Sequence, residues 1–303
     1  MKHSKPKKFF RLFFLLLACA YFSHAQEEDV IKIDSSIVVV NAVVTDKNGN
    51  PILGLKRNDF RLFVDGVEES IASFSAEETP FAAVILIDTS GSMEGQISLA
   101  RSAAINFLDG LRSEDVVAIY NFDSKFSMIQ DFSNSRDVAD AIFDLSAKGM
   151  TTLNDAIYEA SKLLAERQEK RRAIIVLSDG ADTKSKASID KALEAALEAN
   201  ALIYTVDLSP MNAPRHEKLQ NQGVLRFLAE KSGGFFIPTP GGQALRDAFK
   251  KIVTELGNQY TLTFQLSESK MDGKWHTIEV KVNRESAKVR ARKGFKAPST
   301  KQK

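Results

Sequence analysis

The segment Phe81-Ala82-Ala83-Val84-Ile85-Leu86-Ile87 is an uninterrupted apolar run closed by the acid Asp88. A half-exposed strand alternates apolar and polar residues, so a run apolar at every position describes a strand covered on both faces. The residues that follow supply the covers. Ile97, Ala100, Ala104, Phe107 and Leu111 recur at helical spacing within 96–111. A strand over Val116–Asn121 comes next, then helices around Asp137–Leu145 and over Leu153–Glu166. Strand Ala173–Leu177, helix Ile189–Ala199, strand Leu202–Leu208 and helices Val224–Lys231 and Gln243–Leu256 complete the series, with a short edge strand at Phe235-Phe236-Ile237. Alternation of this kind predicts an α/β class, a doubly wound and mostly parallel sheet with helices on both faces, over residues 80–256.

The two ends have a different rhythm. Ile37-Val38-Val39-Val40 through Val44 is a β-branched run ended by Asp46-Lys47-Asn48-Gly49-Asn50-Pro51. Phe60 to Val64 meets Asp65-Gly66, a two-residue hairpin signal, with a return strand through Ile71 to Phe74. Three strands bury too little to stand alone. Tyr260 to Phe264, Trp275 to Val282 and Ala287 to Arg292 alternate in the same way. Residues 26–79 and 257–297 are therefore expected to pair into one small β-sandwich, with the α/β segment inserted between its halves. Residues 298–303 read as a disordered tail.

Residues 1–25 carry Lys2, Lys5, Lys7, Lys8 and Arg11 and no acid, then the apolar run Leu12 to Phe22, then Ser23-His24-Ala25. This is the pattern of a signal peptide cleaved near Ala25, which sends the chain to the periplasm, cell envelope or exterior. The apolar run is short of the roughly 20 residues a bilayer span needs. The only cysteine, Cys19, lies inside it. A cut ahead of Cys19, which Leu16-Leu17-Ala18 loosely suggests, would instead attach a lipid there and give the chain its only membrane contact after export. Taking those five basic groups from the 41 in the chain leaves 36 against 39 acids, a net charge of −3. That balance gives no reason to expect nucleic acid as a partner.

Ligands of open α/β sheets bind at the carboxyl ends of strands. The first strand there delivers Asp88-Thr89-Ser90-Gly91-Ser92, and the third delivers Ser178-Asp179-Gly180. Thr151 opens the helix between them. Gly91 suits a tight turn that points Ser90 and Ser92 at one spot. Two carboxylates and three hydroxyls, with no histidine or cysteine, are hard donors that suit Mg²⁺, Mn²⁺ or Ca²⁺ and not zinc or copper.

Asp88-x-Ser90-x-Ser92, then Thr151, then Asp179-Gly180 resembles the metal-ion-dependent adhesion site of von Willebrand factor type A domains. The resemblance covers about 80–256. It implies that Ser90, Ser92 and Thr151 ligate the ion through hydroxyls, and that Asp88 and Asp179 bind it directly or through water. The flanks "VVVNAVVTDKNGNPILGLKRNDFRLFVDG" and "DGKWHTIEVKVNRESAKVRARKGF" resemble those framing such domains in exported, often acidobacterial, proteins. The family likeness also implies that the last helix, Gln243–Leu256, can shift when ligand binds.

The function this implies is an exported, metal-dependent protein-binding module for adhesion or assembly. A partner's Asp or Glu would complete the six oxygens that Mg²⁺ prefers at roughly 2.0–2.1 Å. One alternative is an envelope component whose ion only stabilises the fold. Another is a metal-dependent phosphohydrolase, but its second acid is missing because position 90 is Ser, and no G-x-S-x-G, HExxH or P-loop motif appears. No enzyme activity is expected. Glu94, Asp123 and Asp182 lie near the site in sequence and read as loop acids first, whereas Asp155 reads equally as a contact to the ion's water shell and as a first-turn acid complementing the helix dipole. His216 and His276 read as structural or surface residues, Trp275 as sandwich core, and Phe235-Phe236 as core. Lys288, Arg290, Arg292, Lys293 and Lys296 read as the solvated face of an edge strand.

Overall fold

A computed structural model describes residues 37–76, 79–238 and 242–299, all within one compact unit. The expected signal peptide, Cys19 and residues 300–303 of the tail lie outside them. In chain order the elements begin with strands β1 (Ile37–Thr45), β2 (Phe60–Val64), β3 (Val67–Glu69) and β4 (Ser73–Ser75). The α/β segment follows with β5 (Phe81–Asp88), α1 (Ile97–Asp109), β6 (Val116–Phe122), β7 (Phe126–Ser133), α2 (Leu153–Ala165) and β8 (Arg171–Ser178). It closes with α3 (Ile189–Glu198), β9 (Ala201–Asp207), α4 (Arg215–Ser232), β10 (Phe236–Ile237) and α5 (Gly242–Gly257). Last come β11 (Tyr260–Gln265), β12 (Trp275–Val282), β13 (Lys288–Ala291) and β14 (Gly294–Lys296).

The central sheet has the order β10-β9-β8-β5-β6-β7, parallel except for β7. Every residue of β5 is buried, and the two faces divide its side chains. Phe81, Ala83, Ile85 and Ile87 pack with α1 and α5, whereas Ala82, Val84 and Leu86 pack with α2, α3 and α4. Burial of each large aliphatic side chain stabilises by about 1.5–3 kcal/mol, which explains why β5 tolerates no polar residue before its end. The doubly wound α/β expectation holds, and so does its insertion in a β-sandwich. The sandwich sheets are β13-β1-β11-β4 and β14-β12-β2-β3, and each mixes strands from both ends of the chain. The Asp65-Gly66 turn joins β2 to β3 with φ of 52° and 80°, the paired positive values that a tight hairpin requires.

Several local expectations fail. Around Asp137–Leu145 there is only a single 3-10 turn, Asp140–Ile142, fixed from outside by Arg101 bonding the Ile142 and Phe143 carbonyls. The stretch before it, Phe126–Ser133, is an antiparallel edge strand whose weak alternation hides it in the sequence. The return strand after Gly66 is split. Its first part stays with β2, and β4 crosses to pair with β11. Trp275 is 45% exposed and not sandwich core, because its ring lies over Gly294, on the outer side of β12.

The basic row of β13 and β14 is a solvated face only in part: Lys288 and Lys293 are exposed, whereas the other three reach the α/β segment. Arg290 pairs with Glu255 of α5, which is 1% exposed, and Arg292 donates to Asn200 at 3.1 Å. Lys296 reaches Glu194 of α3 at 2.5 Å. These cations fasten the sandwich to the helices of the α/β segment. Arg171, fully buried at the start of β8, donates to the carbonyls of Leu256 and Gln259. It satisfies carbonyls at the end of α5, where an unpaired acceptor and the negative end of the helix dipole both favour a cation.

Candidate metal centre

In the sheet order β5 lies between β8 and β6, and the connections leave it in opposite directions, so its carboxyl end is the switch point of the fold. Asp88 ends β5 there with no solvent exposure. Its Oδ1 accepts the N–H of Ser90 at 2.9 Å, and its Oδ2 accepts the hydroxyl of Ser178 at 2.6 Å. Burial pushes the Asp88 carboxyl up to about 6 against the pull of the Ser178 and Ser90 hydrogen bonds, and the charge of Asp179 adds to the rise. Asp88 is therefore a carboxylate held away from water with the charge of a second one, Asp179, acting on it.

Ser90 leaves the strand in extended conformation and begins the 3-10 turn Gly91–Met93. That turn brings the Ser90 and Ser92 hydroxyls to 3.1 Å from each other. Gly91 is not what permits it. A Cβ there would meet the Gly149 carbonyl at 3.5 Å, an ordinary contact. The backbone contacts matter more. Gly91 donates to the Gly149 carbonyl at 3.2 Å and Lys148 donates to Thr89 at 2.8 Å, which lays the loop before α2 against the Ser90 turn.

Thr151 sits in that loop, 3% exposed. Its carbonyl accepts the N–H groups of Thr183 and Lys184, both at 3.0 Å, and its own N–H donates to Thr183 Oγ1 at 3.0 Å. The loop before α2 is thus bonded to the Ser90 turn on one side and to the loop after β8 on the other. Asp179 begins that second loop, buried, with Oδ1 accepting from Ala181 at 3.0 Å. Gly180 follows with φ of 85°, and a Cβ there would lie 2.6 Å from the Asn221 carbonyl, so only glycine fits between β8 and α4. The structure brings the loops of Asp88, Ser90, Ser92, Thr151 and Asp179 to one end of the sheet.

The other acids of this rim have structural duties. Asp155 accepts the N–H groups of Lys186 and Ala187, the latter at 2.8 Å. Asp182 accepts from Asn154 at 2.8 Å and from Ser185 at 3.0 Å, capping the start of α2 from a neighbouring loop. Asp123 holds its own turn through Lys125 at 2.9 Å. Ser178, which the sequence marks only as the residue before Asp179, bridges Asp88 and the Gly180 N–H through its hydroxyl. Its signal was its place at the strand end directly before Asp179. Among the described residues no three His, Cys, Asp or Glu side chains gather around one point, so a cation here depends on hydroxyl donors. The donor set and the buried Asp88 carboxylate fit a hard dication.

A family model described as von Willebrand factor type A domain matches residues 83–181. Inter-alpha-trypsin inhibitor heavy chain H3 of Mesocricetus auratus is 28% identical over 170 residues, covering 49% of this chain and 19% of that protein. The chain thus spans about a fifth of the length of this curated relative. Similar solved structures include an aerotolerance-related membrane protein from Bacteroides fragilis, at 18% identity and a TM-score of 0.48, covering 58% of this chain and 98% of that one. A von Willebrand factor type A protein from Catenulispora acidiphila is 13% identical with a TM-score of 0.49, covering 89% and 76%. The corresponding domain of a type V pilus tip protein from Porphyromonas gingivalis is 14% identical with a TM-score of 0.47, covering 59% and 95%.

Proposed function

The chain carries a von Willebrand factor type A domain, and from that premise we propose that it binds a protein partner through a divalent cation. Domains of this family commonly mediate protein–protein interaction or adhesion. In this reading Ser90, Ser92 and Thr151 hold Mg²⁺ or Mn²⁺ through hydroxyls, and Asp88 and Asp179 hold it directly or through water. The ion would supply a Lewis-acidic site for an incoming Asp or Glu carboxylate. The reading gives the chain no catalytic step, and it places the work outside the cytoplasm, after export.

One observation carries the proposal. Asp88 is a fully buried carboxylate on which the charge of Asp179 acts, at the strand end where two serine hydroxyls converge. A dication removes the cost of holding that charge away from water. The loops are already bonded to one another through Gly91–Gly149 and Thr151–Thr183 contacts. The ion is therefore not needed to join the loops, which leaves it available to a partner's carboxylate and favours the binding role over the structural one.

Capture of partners from an envelope extract on the immobilised protein tests this. Partners retained in Mg²⁺ should elute with chelator and be absent from a Ser92→Ala column. If chelator lowers the melting temperature but releases no partner, the ion is structural and the binding role falls.

A further inference from the structure

Beside the candidate centre the surface opens into a groove of about 490 Å³. Lys125, Lys184, Lys186 and Lys191 line it, all exposed, around Tyr158 of α2. The two acids in its lining are committed elsewhere. Asp155 accepts the backbone N–H groups of Lys186 and Ala187, and Glu159 pairs with Lys162 at 3.0 Å. Lys191 lies over the Tyr158 ring at 4.9 Å. Among the described residues Lys125, Lys184 and Lys186 have no carboxylate partner. A lysine cluster of this kind repels itself and is eased by an incoming anion.

The groove is continuous with the centre. Thr152 lines it and directly follows Thr151, and Lys184 donates its backbone N–H to the Thr151 carbonyl at 3.0 Å. On the opposite wall Ser124, next to Lys125, accepts the N–H of Met150 at 3.0 Å. Two of the unpaired lysines therefore flank the loop that carries Thr151.

We propose that this groove receives an acidic peptide segment of the partner, the one whose first carboxylate would sit at the metal. The inference rests on the metal-site reading and adds a recognition rule to it: further Asp or Glu residues within a few positions of the coordinating one. A single carboxylate at an ion selects nothing, whereas a row of acids matched to Lys125, Lys184 and Lys186 gives direction and sequence preference. Continuity with a centre read as a receptor for a carboxylate favours an acidic peptide over a nucleic-acid backbone.

The test uses the full mature chain with a fluorescein-labelled hexaglutamate peptide read by anisotropy, and with Mn²⁺ alone read by electron paramagnetic resonance. The variant is Lys125→Gln combined with Lys184→Gln and Lys186→Gln, all at exposed positions. It should keep wild-type Mn²⁺ affinity within about threefold while losing at least about tenfold in peptide affinity, equivalent to about 1.4 kcal/mol. Peptide affinity of the wild type should also fall as salt rises. Equal peptide affinity in variant and wild type overturns the groove, and so does failure of the wild type to bind the peptide. An oligothymidylate of equal charge that binds more tightly than the peptide overturns the assignment to a peptide. Lysine-dependent peptide binding in a protein that takes up no Mn²⁺ upholds the groove and removes the metal. Metal-dependent binding that ignores the lysines does the reverse.

Discussion

Ser178 donates its hydroxyl proton to Asp88 and accepts the N–H of Gly180, so it fixes the carboxylate and the turn of the next loop together. A group that orients a ligand without touching the ion is typically worth 10–100-fold in metal affinity. Ser178→Ala should therefore weaken Mn²⁺ binding by about tenfold or more, measured by calorimetry. Ser92→Ala, which removes a proposed ligand at a part-buried turn, should weaken it at least as much while leaving the far-ultraviolet spectrum intact. Far from the centre, His276 bonds Asp65 at 2.6 Å and Asp272 at 3.1 Å, one through each ring nitrogen. Burial works against its charge, but the two carboxylates outweigh that and hold its pKa above the ordinary value. Both acids are lowered in turn, Asp65 chiefly by the His276 hydrogen bond and Asp272 chiefly by the Lys274 N–H. A raised histidine contributes stability that is complete below about pH 6.5 and is lost as pH rises through its folded value. The lowered acids contribute above about pH 4 and lose it as pH falls. The melting-temperature gap between wild type and His276→Gln should thus be widest near about pH 5.5 and shrink by about pH 8.5. A gap independent of pH would show that the ring acts only by packing.

At the scale of elements, α5 is held at its carboxyl end by Arg171 and through Glu255 by Arg290 of β13. Glu255 is buried, and burial raises its pKa despite the arginine. Removing the arginine leaves that carboxylate unpaired in the interior, so Arg290→Ala should cost about 3 kcal/mol in denaturant unfolding. Adding Glu255→Gln to it should recover part of the loss, because the stranded charge is gone. No recovery would mean that Arg290 contributes through its apolar stem. These contacts also show which elements were legible beforehand. β5 was plain because burial on both faces forbids polar residues along its length. The Asp65-Gly66 hairpin was plain because its backbone angles demand those residues. Strand β7 was hidden, since an edge strand with half-buried, irregular residues has no clean period. The inward turn of Arg290 and Arg292 was hidden for another reason. Alternation names two faces, but it cannot say which one meets another layer of the same chain.

On the scale of the whole molecule, the inserted arrangement follows from what each part lacks. Of the amino-terminal strands only β2 and β3 pair with each other, and β1 and β4 have no neighbour until β11 and β13 return, while the α/β segment between them buries its own two faces. That the loops of the five oxygen-bearing side chains meet at one end of the sheet was legible in advance, because each stands near a strand end or helix start and the topology brings those points together. The supporting contacts were not. Ser178, the trans cap by Asp182 and the clamp of Asp155 on the 186–187 backbone depend on loop paths that no local pattern fixes. The central claim is that these loops hold a hard dication. Anomalous diffraction from crystals grown in Mn²⁺ tests it most directly. The account predicts a single strong peak at the carboxyl end of β5, within coordination distance of the Ser90 and Ser92 hydroxyls, and none in Ser92→Ala crystals. Density showing the Ser90, Ser92 and Thr151 hydroxyls bonded only to protein and water at saturating Mn²⁺ would contradict it.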